Sequence, residues 1–166
     1  MVIRLATLTD IPQIMQIIAE VVPLMRAAGN MQWDSTYPNP DVFRQDIELG
    51  QLWVADIEGD IAGVTAITTE QYPEYEQVGW DTSETAIVTH RLAVSPRHRG
   101  KGIAEALLLQ ADKVAAERGI NLVRVDTNSQ NAATQRLFPK VGYTFGGEIT
   151  LAFRPGLSFY VYEKRL

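Results

Sequence analysis

Between Arg97 and Ala104 the chain reads Arg-His-Arg-Gly-Lys-Gly-Ile-Ala. Three cations and two glycines sit where an apolar run, Thr85 to Val94, gives way to an amphipathic one, Ile103 to Arg118. Glycines at a helix mouth let a bulky ligand approach the backbone. The first helical turn adds unpaired N–H groups and the positive end of the helix dipole. Strand, basic glycine turn and helix together make a place to hold a phosphate or pyrophosphate. Two familiar phosphate loops do not fit. A Walker loop needs a glycine five residues before Gly100-Lys101 and a Ser or Thr after it, and Gly102 stands there instead. A dinucleotide fingerprint needs glycine or alanine where Glu105 stands, and that carboxylate would repel a pyrophosphate.

A third pattern does fit: Arg or Gln, two residues, Gly, one residue, then Gly or Ala. Arg99-Gly100-Lys101-Gly102-Ile103-Ala104 matches it. The match extends upstream through His90-Arg91-Leu92-Ala93-Val94-Ser95-Pro96 and downstream through Asn131 to Tyr143, which looks like an NxxAxxLYxKxGF block. In these segments, and in the order of its elements over essentially its whole length, the sequence resembles the GNAT N-acetyltransferases. The stretch Gln32-Trp33-Asp34 with Tyr37-Pro38, together with His90 to Val94, resembles the QWxxxYP and HRxAV segments of a Gram-positive bacterial subgroup.

The resemblance implies acetyl-CoA as cofactor. Leu92, Ala93 and Val94 would pair their backbone with its pantetheine arm. Arg97 and the turn Arg99, Gly100, Lys101, Gly102, Ile103 and Ala104 would hold the pyrophosphate, with Asn131 and Phe138 lining the far side. The acetyl group would pass directly to an amine, without a covalent enzyme intermediate. For removal of the amine proton the candidates are His90, histidine being the side chain ordinarily suited to proton transfer near neutral pH, and Glu84. A backbone N–H of the fourth strand, with Val94 the nearest match, would polarise the thioester carbonyl.

The departing thiolate poses a problem, because the family's proton-donating tyrosine aligns with Phe138. Tyr143 is the nearest hydroxyl in sequence, although it also occupies the family's core aromatic position. Unassisted departure of the thiolate is a further route, since thiols leave far more readily than amines. Phe138 also leaves open a catalytically weak acyl-CoA-binding or regulatory module of the same fold. Acceptor recognition would fall to Trp33, Tyr37, Trp80 and Asp126, with Tyr72 or Tyr75 beside them. Asp126-Thr127-Asn128 serves equally as acceptor lining or as the cap of the next helix.

The composition agrees with this reading. The 166 residues are 46% hydrophobic and 21% charged, as in globular proteins with a real core. No cysteine is present, which excludes thiolate catalysis and cysteine zinc sites. Two close histidines make no convincing metal site, so no metal is expected. A net charge of −5 argues against nucleic acid as a partner. No apolar stretch reads as long enough to cross a bilayer and no secretion-type segment opens the chain. The expectation is a cytoplasmic bacterial enzyme acting on a small amine, with no membrane partner and with a homodimer left open.

Hydrophobic periodicity places the elements. Strands are expected at Val2 to Leu5, Gln51 to Asp56, Ile61 to Ile67, Thr85 to Val94, Leu122 to Asp126, Tyr143 to Ile149 and Phe159 to Glu163. Helices are expected after a Thr9 or Asp10 cap, over Asp41 to Leu49, over Ile103 to Arg118 and over Asn131 to Val141, with Pro139 disturbing the last turn. No linker interrupts residues 1–166, which read as one GNAT acetyltransferase domain. The layout is mixed α/β: a central, mostly antiparallel sheet flanked by helices, whose fourth and fifth strands splay apart to admit the cofactor.

Overall fold

The computed structural model describes residues 1–166. Seven strands form one sheet: β1 (Val2–Leu5), β2 (Leu52–Ile57), β3 (Asp60–Thr68), β4 (Ile87–Val94), β5 (Leu122–Asn128), β6 (Thr144–Thr150) and β7 (Ser158–Arg165). Their order is β1-β2-β3-β4-β5-β7-β6, and every neighbouring pair is antiparallel except β4 and β5. Four α-helices flank the sheet: α1 (Ile11–Ala27), α2 (Pro40–Glu48), α3 (Ile103–Glu117) and α4 (Ala132–Lys140). This is the mixed sheet with splayed central strands that the sequence leads one to expect.

The β4–β5 junction shapes the molecule. Parallel pairing runs only through Ile87↔Val123, Val88↔Arg124 and Thr89↔Val125. Beyond it β4 continues to Val94 and β5 to Asn128 without pairing to each other. Arg91, at φ +54°, takes a left-handed backbone conformation in β4, next to the register shift in the β3–β4 ladder. A non-glycine residue there is costly, and the resulting bulge turns β4 away from β5.

The two faces of the sheet are filled by different helices. Ile14, Ile17 and Phe43 of α1 and α2 pack with Leu52, Val54, Ile61 and Val64. Leu108, Ala111 and Ala115 of α3 pack with Ile87, Val123, Val125, Phe138 and Tyr143. A third cluster, Tyr75, Val88, Leu122, Ile149, Phe159 and Val161, closes the β5–β7 end. Each cluster removes apolar surface at roughly 25 cal/mol per Å², which fixes which face of each strand looks inward.

Three details differ from the sequence expectation. The stretch Leu8–Ala27 spans 20 residues at a mean hydropathy of 1.2, enough by length and composition alone to cross a membrane. Its Ile14, Ile17, Ile18 and Val22 instead pack onto the sheet. Asp10 does not cap α1 with its side chain; its carboxylate is gripped by Arg4 at 2.8 and 3.0 Å and by the Thr7 amide at 2.8 Å. Pro139 lies within the last turn of α4 without ending it early, because the helix stops one residue later in any case. The polar segment after β3 contains a 3-10 helix, Pro73–Val78.

Candidate functional site

A cavity of about 1040 Å³ opens where β4 and β5 part. One half is built by the turn into α3. Gly100 and Gly102 both have φ +74°, and a Cβ added to either would meet nothing within 4 Å. The first helical hydrogen bond of α3 is Ala106 N–H to Gly102 C=O, and no side chain caps its start. The amides of Arg99 through Glu105 therefore donate to nothing else in the protein. Left-handed glycines alternating with ordinary residues curl successive N–H groups into a concave anion receptor, and the α3 dipole adds to it.

The turn is anchored from beneath. His98 Nε2–H donates to Asp60 Oδ2 at 2.7 Å, and Lys101 Nζ donates to His98 Nδ1 at 3.0 Å. Ser95 Oγ accepts from the Arg97 amide at 3.2 Å and starts the short 3-10 turn that precedes the glycines.

The other half of the cavity is aromatic. Trp33, Tyr37, Tyr72 and Phe153 line it, with His90 and Asp126 deeper in. His90 Nε2 lies 2.9 Å from the Glu70 carbonyl. A carbonyl only accepts, so Nε2 carries the proton and Nδ1 is the free lone pair of the neutral ring. Nδ1 bonds nothing in the protein and is not sealed in the core, which leaves it to the cavity that His90 lines. Tyr72 packs edge-on against the imidazole, ring centres 5.1 Å apart, and fixes its orientation.

Asp126, on β5, accepts a 2.6 Å hydrogen bond from the Tyr75 hydroxyl. Burial pushes its carboxyl above the usual range, against the opposing pull of the His90 charge and the Tyr75 bond. Burial first, and the Asp126 charge second, drive the Tyr72 and Tyr75 hydroxyls upward, so both stay protonated. On the opposite wall Arg91 binds Asp46 through two nitrogens and Tyr37 OH through a third, at 3.3 Å. Arg154 roofs the mouth: its Nε donates to the Gln32 carbonyl at 2.8 Å, and its guanidinium lies 5.2 Å from the Tyr37 ring centre.

Most residues singled out from the sequence meet here. Leu92, Ala93, Val94, Arg99, Gly100, Gly102, Ile103, Ala104, Asn131 and Phe138 line one side, and His90, Trp33, Tyr37 and Asp126 the other. Asn131 also caps α4, accepting from the Thr134 amide at 3.2 Å.

Several of the expected residues do not line the cavity, Tyr75 and Asn128 among them. Glu84 is partly exposed and gripped by Arg165 at 2.7 and 3.0 Å, a surface position unsuited to a base for this cavity. Trp80 lies directly on Gly146 and under the Arg124 guanidinium, 4.5 Å from its ring centre, a packing role instead of an acceptor contact. Tyr143 is buried behind Phe138, ring centres 5.7 Å apart. Arg97 turns toward Glu20 and Asp60, 3.6 and 3.9 Å away. Lys101 is turned to His98.

Other residues enter that the sequence did not flag: Asp46, Thr89, Phe153 and Arg154. Asp46 looks like any helical acid, and Phe153 and Arg154 belong to a turn more than 100 residues from Gln32, which they cover. No local signal marks them.

Comparison with known proteins agrees with this geometry. The model of the Acetyltransferase (GNAT) family matches residues 18–143. The N-acetyltransferase YesJ of Bacillus subtilis is 26% identical over 170 aligned positions, covering 97% of this chain and 88% of YesJ. A GNAT-family acetyltransferase structure from Streptococcus agalactiae superimposes with a TM-score of 0.83 at 27% identity, covering 99% of this chain and 95% of that one. The structure of yncA from Salmonella typhimurium, solved with its cofactor acetyl-CoA, shares the fold at a TM-score of 0.72 and 22% identity, covering 100% of this chain and 94% of yncA.

Proposed function

Because the chain belongs to the acetyltransferase (GNAT) family, whose donor is acetyl-CoA, we propose that residues 1–166 act as one catalytic domain. In this reading the acetyl group passes directly to the amine of a small-molecule or amino-acid-like acceptor. The supporting observation is the pairing, in one cavity, of free amides at the α3 entrance with the unpartnered Nδ1 of His90.

Acetyl-CoA supplies an activated thioester and two bridged phosphates. The amides of Arg99 to Glu105 fit such a pyrophosphate, and Arg99 brings a cation to the same rim. The β5-facing edge of β4 from Leu92 to Val94, left free by β5, offers backbone groups to an extended, amide-bearing arm. Trp33, Tyr37, Tyr72 and Phe153 give the acceptor half an apolar lining, which strengthens polar contacts made inside it.

An amine arrives largely protonated near neutral pH. Asp126, deep in the same half, attracts an ammonium group, and His90 Nδ1 takes its proton. Glu70's carbonyl holds the imidazole in the tautomer that leaves Nδ1 open. The aromatic lining of the acceptor half, Trp33, Tyr37, Tyr72 and Phe153, suits a small acceptor.

The test is thiol release from acetyl-CoA with a panel of small primary amines. Turnover with at least one amine is expected, and His90→Gln should lower kcat by about 10²-fold or more with the KM for acetyl-CoA kept. No release with any amine, or an undiminished His90→Gln enzyme, would overturn the reading.

A further inference from the structure

Two arginines line the acceptor half of the cavity, and they differ in what holds them. Arg91 is cancelled. Both oxygens of Asp46 take its Nε and Nη2, and its Nη1 goes to the Tyr37 hydroxyl. Arg154 has no acid partner; its bonds go to backbone carbonyls. Asp34, which feels the Arg154 charge, commits its Oδ1 to Thr36 and the Tyr37 amide and forms no ion pair with it.

The Arg154 guanidinium is nevertheless held still. Nε donates to the Gln32 carbonyl at 2.8 Å and Nη1 to the Phe153 carbonyl at 3.1 Å. The group lies 5.2 Å from the centre of the Tyr37 ring and 5.6 Å from that of Phe153. Its backbone is fixed as well: the Arg154 amide donates to the Leu151 carbonyl at 3.0 Å, and the Arg154 carbonyl accepts from the Leu157 amide at 3.3 Å. Nη2 donates to nothing in the protein. Ordering a long side chain costs entropy, and here that cost is met before any ligand arrives. A fixed, uncancelled guanidinium with an open nitrogen suits a carboxylate.

The opposite pole lies deeper in the same half, at Asp126 and the open Nδ1 of His90. An aromatic wall joins the two poles. The Phe153 ring centre is 5.3 Å from that of Tyr72, and Tyr72 is 5.1 Å from the His90 ring. The chain as a whole carries a charge of −5, so a free cation inside a binding cavity is a local feature that selects for an anionic group.

We propose that the acceptor carries a carboxylate in addition to its amine, and that Arg154 is the specificity-determining residue that binds it. The proposal rests on the acetyl-transfer reading above and narrows its acceptor class. The carboxylate docks on Arg154 Nη2 at the mouth, and the amine reaches His90 Nδ1 at the other end of the aromatic wall. Free amino acids and short peptides share this chemistry. Arg154 moves no proton and touches no reacting atom.

The experiment offers amines in matched pairs, each as the free acid and as its primary amide: alanine and alaninamide, β-alanine and β-alaninamide, glycylglycine and glycylglycinamide. Thiol release from acetyl-CoA gives kcat/KM for each. The parent should favour the acid about tenfold or more in at least one pair, and the responding pair distinguishes an amino acid from a peptide. Arg154→Gln removes the charge. It should lower the acid-to-amide ratio about tenfold through the KM of the acid, at an unchanged KM for acetyl-CoA. Arg154→Lys should restore part of the ratio and Arg154→Glu should invert it. Comparing the ratio between enzyme forms cancels the intrinsic difference between the two amines.

An Arg154 that merely clasps Gln32 would change acid and amide alike. An unmoved ratio in folded Arg154→Gln, or a parent that shows no preference for the acid in any pair, would overturn the proposal and leave acetyl transfer standing. The parent's preference is read without any variant, so a variant that fails to melt cooperatively does not remove the test. No thiol release with any of the six amines would overturn the acetyl-transfer reading and the proposal with it.

Discussion

Arg91 holds Asp46 by two hydrogen bonds, Nε to Oδ2 at 2.8 Å and Nη2 to Oδ1 at 2.7 Å. The pair ties α2 to the bulge in β4, and both side chains are largely buried, at 12% and 4% exposure. Burial alone would make Arg91 a stronger acid, but the bonds and charge of Asp46 outweigh it and hold the guanidinium charged. A residue at positive φ in the middle of a strand needs such an external hold.

Removing one member of the pair leaves the other charge buried and uncompensated. Asp46→Ala should destabilise the protein by about 3–5 kcal/mol in denaturant unfolding. It should also loosen the bulge and weaken coenzyme A binding, although Asp46 does not line the cavity. Unfolding at the parent midpoint would show that the bulge holds without the pair.

Asp126 predicts a pH effect of opposite sign to that of most carboxylates. Burial raises its pKa above the ordinary 3.8, so the folded protein binds this proton more tightly than the unfolded chain does. Its contribution is fully present below pH 3.8 and fades as pH rises through the folded value. Asp126→Asn, which stays neutral, should therefore melt at a higher temperature than the parent near neutral pH, and the gap should close in acid. Activity should fall at the same time, because the acceptor's ammonium loses its counter-charge. Equal melting temperatures at all pH values would refute the linkage.

Gly102 combines a left-handed backbone with the free amides of the α3 entrance. Gly102→Val should cost about 1–2 kcal/mol in backbone strain. It should also weaken coenzyme A at least tenfold in calorimetric titration, because the branched side chain projects where the phosphates approach. Unchanged affinity would move the pyrophosphate elsewhere.

Glu84 and His90 are the two candidate bases of the sequence, and the structure separates them by surroundings. Arg165 grips Glu84 at the surface and holds its carboxyl below the ordinary range. Glu84→Gln should leave kcat and the pH profile of turnover as they are, whereas His90→Gln should abolish the limb set by the base. A pH profile altered by Glu84→Gln would reverse the assignment.

The sequence by itself determined whatever is local. The turn Arg99 to Ala104 is legible because a glycine pattern at a strand–helix junction carries its backbone geometry with it. The element order is legible because hydrophobic period records which face each segment buries, and the strand and helix ends shift by only a residue or two. Composition is ambiguous for α1, whose residues are apolar enough for a membrane yet pack onto the sheet.

Tertiary structure decided whatever depends on side chains from distant segments arriving at one point. Glu84 and His90 lie six positions apart, yet one points to solvent and an arginine while the other points into the cavity. Tyr75 and Asp126 meet across 51 positions, Arg91 and Asp46 across 45, and Arg154 and Gln32 across 122. Sequence spacing carries no trace of such contacts, because a fork between two strands is created by the packing of all seven.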